Sequence, residues 1–171
     1  MTTSDASPAP QASTIASLRE SLCSEATPLA VRFRALFSLK HVAQTSDDAA
    51  TAVSAIEAIA AAFKSPSALL KHELAYCLGQ TGNSAAVKPL RDVLSDLQED
   101  PMCRHEAAEA LGALGTAENL ELLKQFRDRE GEEVVVKETC EIAIDRIEWE
   151  TSKDRQTEKL RARYSSQQSC N

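Results

Sequence analysis

Two stretches decide how this chain is read: KHELAYCLGQ (71–80) and RHEAAEALGA (104–113). Offset by 33 residues, they match at Lys71 and Arg104, His72 and His105, Glu73 and Glu106, Ala75 and Ala108, Leu78 and Leu111, and Gly79 and Gly112. RFRALFSLK from Arg32 joins the alignment at an offset of 39, and KETCEIAID from Lys137 at about 32. Leu39, Leu78 and Leu111 then share one site, with Leu36, Ala75 and Ala108 three residues earlier, which puts them on one helix face. These are core positions. Gly79 and Gly112, one residue further on, permit close helix approach or end the turn.

A period in the thirties made of two helices describes stacked helical hairpins, each hiding its apolar stripe against its neighbours. The tetratricopeptide pattern of Trp, Leu, Gly and Tyr is absent, as is the ankyrin string T-P-L-H-x-A. The expected fold is therefore all-α, a superhelix of about four HEAT-like hairpin repeats. Composition agrees: 171 residues make one domain, and with 5 Gly, 4% aromatics and an excess of Ala and Leu, a sandwich, a barrel or a glycine-turned α/β sheet is disfavoured.

Breaks between helices carry their own chemistry. Pro28 and Pro101 open helices where a missing amide costs nothing. Asp47 or Asp48, Ser67, Ser84 and Thr116 are candidate caps, and Gly82 and Gly131 separate neighbours. Seven clear helices and a short one around 17–24 give four pairs. The repeat domain is expected over 14–149, after a disordered Ser, Thr, Ala and Pro tail at 1–13 and before a helical extension and polar tail at 150–171. Trp149 is expected to seal the last repeat.

A formal charge of -7 argues against a nucleic-acid footprint, and the late basic run KDRQTEKLRAR is interleaved with acids, as a solvated helix face would be. No apolar stretch is long enough for a membrane span, and MTTSDASPAPQAS has no signal-peptide pattern. Cys23, Cys77, Cys103, Cys140 and Cys170 form no C-x-x-C pair and suit reduced, packed thiols in a cytoplasmic or nuclear protein.

Of three histidines, His72 and His105 are each followed by glutamate at matched repeat positions, a coincidence on the order of one in a thousand by chance. His41 lies outside that register and reads as an ordinary surface or interface histidine. Neighbouring repeat helices lie about 8–10 Å apart, so imidazoles at equivalent sites can approach a common point. Two imidazoles and a carboxylate suit a non-haem iron with open positions, whereas structural zinc prefers cysteine, and the spacing is not that of H-E-x-x-H. A metal-free pair of hydrogen-bonded His-Glu couples lining a groove remains the other reading.

VRFRALFSLK, LLKHELAYCLGQ, PMCRHEAAEALGALG and VVVKETCEIAIDRIEW, across about residues 28–149, closely resemble the amino-terminal half of the deoxyhypusine hydroxylase family. The resemblance implies a HEAT-repeat monooxygenase that completes hypusine on translation initiation factor 5A by hydroxylating its deoxyhypusine side chain. It implies two irons held by four His-Glu pairs, two from each half of a pseudo-symmetric molecule. His72, Glu73, His105 and Glu106 match the two pairs of the first half. An acidic cleft would favour the cationic, lysine-derived substrate.

The second set of repeats has no counterpart after Trp149. Truncation is the favoured expectation. A homodimer in which two chains complete the iron site, or a residual half that binds metal weakly, are the others. The runner-up function is a non-catalytic HEAT scaffold binding a partner on its concave face; a HEAT-like bilin lyase would need a reactive cysteine that nothing singles out.

Overall fold

The computed structural model describes residues 10–158; the outer parts of both expected tails, 1–9 and 159–171, and with them Cys170, lie outside the described residues. Eight α-helices form four hairpins: α1 (Pro10–Cys23) with α2 (Leu29–Thr45), α3 (Ala49–Ala60) with α4 (Ala68–Gln80), α5 (Val87–Ser95) with α6 (Pro101–Leu114), and α7 (Leu120–Asp128) with α8 (Val134–Thr151). The second helices stack into one layer, with α6 packed between α4 and α8; α1, α5 and α7 pack on their own partners, whereas α3 packs mainly on α2 and α1.

Most helix starts follow the expected chemistry. Asp48 accepts from the Thr51 amide, Ser67 from the Leu70 amide, and Asp100 from the Met102 amide with Pro101 in the first turn. Asn83, not Ser84, caps the third hairpin; it opens a 3-10 turn at Ser84–Ala86 before α5. Gly115, at φ 69°, ends α6 in the left-handed conformation that favours glycine.

The ends depart further from expectation. α1 begins at Pro10, four residues inside the stretch assigned to a disordered tail, because Pro costs no hydrogen bond in a first turn and Ile15, Leu18 and Leu22 recur at helical spacing. At the other end Trp149 is 47% exposed and does not seal the last repeat. Ile144 and Ile147 take the inward register, and a residue two places on from Ile147 points about 200° away from it. After Ser152 the chain is helical again over 153–158.

Leu36, Leu39, Ala75, Leu78, Ala108 and Leu111 are fully buried, as the repeat alignment requires. The two aligned glycines are where helices touch backbone to backbone. A Cβ on Gly79 would lie 2.8 Å from Ala110 Cβ, and one on Gly112 would lie 2.7 Å from Ala143 Cβ. Both contacts join residues at equivalent sites, so the fourth repeat is in register at 33 residues, not about 32. In α2 the glycine's site holds Lys40, and in α4 the alanine's site holds Cys77. With side chains at both positions, α2 and α4 make a looser contact than the later pairs.

Three of the four cysteines among the described residues, Cys77, Cys103 and Cys140, are buried free thiols, and burial pushes each up to about 12. No helix among the described residues is long and apolar enough to cross a membrane.

Gly112→Ala tests the close contact. Alanine gains about 1 kcal/mol of helix propensity, but the added methyl also meets Ala143 Cα at 2.9 Å, which is backbone and cannot turn aside. Urea denaturation is expected to show a net loss of about 1–3 kcal/mol, with Gly112→Val worse.

Candidate metal centre

Each matched histidine follows a basic residue that is itself held in place. Arg104 Nε donates to the Leu94 carbonyl at the end of α5 (3.1 Å), and its Nη atoms reach both oxygens of Glu132 at 2.7 and 2.6 Å, just before α8. Lys71 donates to Glu99 Oε2 at 2.7 Å, just before α6. Arg32, one repeat earlier, donates from Nε to the Leu22 carbonyl (2.8 Å) and from Nη1 to Glu25 (2.7 Å). At Arg32 and Arg104 a carbonyl near the end of the preceding helix ties the second helix to its own hairpin, and at Lys71 and Arg104 a buried carboxylate ties it to the next, while Arg32 Nη2 is buried without a partner among the described residues. The Arg104 guanidinium also lies 5.2 Å over the Phe126 ring. Reading the sequence alone aligned these basic residues without assigning them a role. The available signal was Glu99 and Glu132, each 28 residues beyond its basic partner.

With α4 and α6 so fixed, the side chains that follow converge. His72 Nε2 is 3.2 Å from Glu106 Oε2, and His105 Nε2 is 4.0 Å from the same oxygen. The two rings lie 5.8 Å apart between centroids, inclined at 44°. One ligand atom from each of His72, His105 and Glu106 falls within 4.8 Å of the others. Glu73 is not in this group. The repeat geometry explains why: Glu106 reaches back to the histidine of the preceding repeat, while Glu73, at the equivalent site, has Phe33 at that register.

The cluster lies at the edge of solvent, with the His72 side chain 30% exposed and that of Glu106 8%. Burial, then the negative charges of Glu109 and Glu73, push the Glu106 carboxyl up to about 7. Burial and the neighbouring His72 hold His105 below its ordinary value. At 3.2 Å, His72 Nε2 and Glu106 Oε2 stand about as far apart as neighbouring donors on one metal ion, and a metal bound there would require both atoms free of protons. On the far side of its ring, His105 Nδ1 lies 3.3 Å from Thr139 Oγ1. His41, the third histidine, is exposed on α2 and belongs to no such group.

The donor set fits a transition metal. Bonds of about 2.0–2.2 Å hold neighbouring donors on one ion about 3 Å apart, so the 3.2 Å pair of His72 and Glu106 already fits, and a shift on the order of 1 Å in the His105 ring would close the triad. Two imidazole nitrogens and one carboxylate oxygen match the facial set that holds non-haem ferrous iron and leaves positions open.

A HEAT-repeat family model matches residues 56–143. The deoxyhypusine hydroxylase of Gibberella zeae is 75% identical over 149 residues, covering 87% of this chain and 44% of that protein. That of Neurospora crassa is 74% identical over 148 residues, covering 86% and 46%. A solved structure of human deoxyhypusine hydroxylase in complex with glycerol superposes with a TM-score of 0.73 at 44% identity, covering 82% of this chain and 45% of that one. The chain therefore spans a little under half the length of the relatives it matches.

Glu106→Gln tests the electrostatics. Below pH 4.5 both folded and unfolded chains keep the Glu106 proton; between 4.5 and about 7 only the folded chain does, so ionisation increasingly favours unfolding, and above 7 the full cost is present. Allowing for solvent screening, the metal-free Gln variant is expected to be about 1–2 kcal/mol more stable than the parent at pH 8, the gain vanishing near pH 5. Denaturation at the two pH values reads this directly; a variant no more stable than the parent at pH 8 would contradict the assignment.

Proposed function

The chain belongs to the HEAT-repeat family, and from that premise we propose that it is one half of a deoxyhypusine monooxygenase, in which His72, Glu73, His105 and Glu106 supply half of the ligand set of a two-iron centre. The observation that carries this reading is the convergence of His72, His105 and Glu106 from successive repeats onto one point. Identity of 75% to a protein named deoxyhypusine hydroxylase supports the choice of reaction. The substrate is then the deoxyhypusine side chain on the precursor of translation initiation factor 5A, and the setting is the cytoplasm or nucleus.

Bound ferrous iron would supply the activation of dioxygen needed to hydroxylate an unactivated C–H bond. The residues do the rest. His72 and His105 present ring nitrogens, and Glu106 gives up its proton to become a ligand. Glu73 stands by register one repeat back, placed to serve a metal completed from a second set of ligands. With Glu109 it also makes the approach acidic, which draws in a cationic, lysine-derived side chain.

A second half is called for by the surface around the site. Leu69 and Tyr76 lie three residues before and four after His72, and Met102 three before His105, so helical spacing puts them on the histidine faces. All three are exposed, at 60%, 42% and 50%. An apolar rim around buried ionisable groups suits a covered face that excludes water. The cover is a complementary half, from the remainder of a longer chain or from a second copy in a homodimer.

Anaerobic loading with ferrous ion, desalting and elemental analysis test the proposal. About one iron per chain is expected in an assembled dimer, and loss of at least tenfold in affinity in His72→Ala and in His105→Ala. Iron-free protein after loading would overturn the reading and leave a scaffold that binds a partner along its concave face.

A further inference from the structure

Thr139 sits in α8 at the site that Glu106 fills in α6 and Glu73 fills in α4. Its reach is also equivalent. Glu106 extends back to His72 of the preceding repeat at 3.2 Å, and Thr139 extends back to His105 of its preceding repeat at 3.3 Å. The two contacts differ in the nitrogen they meet: Nε2 for His72, Nδ1 for His105.

A threonine hydroxyl has one hydrogen, and that of Thr139 is already donated to the Val135 carbonyl at 2.8 Å. Toward His105 the oxygen can therefore only accept, so the hydrogen in that contact belongs to Nδ1. A neutral ring protonated at Nδ1 carries its lone pair on Nε2. Nε2 is the atom that faces Glu106. We propose that Thr139 is a positioning residue: by accepting a hydrogen bond from His105 Nδ1 it fixes the ring's tautomer and orientation so that Nε2 is presented as a metal donor.

The residue type suits the task. Carboxylates or backbone carbonyls commonly hold the second nitrogen of a ligating histidine, but a carboxylate at this site would add negative charge beside Glu106, already pushed up by Glu109 and Glu73. A hydroxyl tied down by its own helix gives the same direction without the charge. The side chain of His105 is only 15% exposed, so water has little room to replace it.

This inference deepens the iron-binding reading of the same site and rests on it only for metal affinity; the tautomer is a property of the metal-free chain. The experiment is long-range proton–nitrogen NMR on the full chain without metal, with the His105 signals assigned by their loss in His105→Ala. In the parent and in Thr139→Ser, Nδ1 is expected to be the protonated nitrogen. In Thr139→Val, which keeps the branched shape and removes the oxygen, the Nε2-protonated form is expected to gain population. Ferrous affinity is expected to fall about 10–100-fold in Thr139→Val and to recover in Thr139→Ser. A parent ring protonated at Nε2 overturns the proposal, and so does a Thr139→Val chain with unchanged tautomer or unchanged iron affinity. The parent spectrum alone decides the matter if the Val variant does not fold. Tautomers that shift as expected in chains that never bind iron would uphold the role of Thr139 and overturn the iron reading instead.

Discussion

Backbone contact between consecutive inner helices sets the scale of everything else in the molecule. At Gly79 against Ala110, and again at Gly112 against Ala143, the absence of one Cβ and the smallness of the other let helices approach until a Cβ added to either glycine would lie within 3 Å of the facing alanine. That spacing brings residues at equivalent repeat positions into mutual reach, and it sets His72 Nε2 and Glu106 Oε2, 34 residues apart in sequence, 3.2 Å from each other. The first repeat shows the alternative. Lys40 and Cys77 stand where Gly and Ala stand later, the helices pack less closely, and the histidine site holds Phe33. Close packing and the ligand pattern begin at the same place in the array.

The buried charges divide by purpose. Arg104 and Glu132, with side chains 4% and 1% exposed, satisfy each other through two parallel hydrogen bonds. Such a pair is weak evidence for net stability, because desolvation offsets much of the attraction, but its two parallel bonds set the position of the Arg104 side chain against the segment before α8. Here it fixes the residue immediately before His105, and Lys71 with Glu99 does the same before His72. Glu106 is the opposite case. Buried among other acids with a histidine for company, it costs stability when ionised, and a metal cation would relieve that cost. Stability surrendered at a cluster of convergent donors is the pattern of a functional site in an otherwise locally consistent chain.

Much of this was legible in the sequence because repetition repeats its physics. The apolar columns at Leu39, Leu78 and Leu111, the close approach at the two glycines and the pairing of His72 with His105 all followed from laying one stretch over another. Less legible was whatever depends on direction. The divergence of about 100° between helix neighbours separates each histidine from its own glutamate on sequence grounds alone; that His72 meets the glutamate of the next repeat, Glu106, only the register of the packed helices shows. Trp149, expected to seal the last repeat, is turned outward by the helix phase that Ile147 sets. Thr139 was invisible for another reason: a hydroxyl carries no motif, and its role appears only when its single hydrogen is traced to Val135.

Successive repeats aim His72, His105 and Glu106 at one point fit for a metal ion. Anomalous diffraction at the iron edge, from crystals grown and loaded anaerobically with ferrous ion, tests it most directly. The account predicts a peak within about 2.0–2.3 Å of a nitrogen from each histidine and an oxygen of Glu106. An ion bound elsewhere, or imidazoles that face away from each other in the loaded crystal, would contradict it.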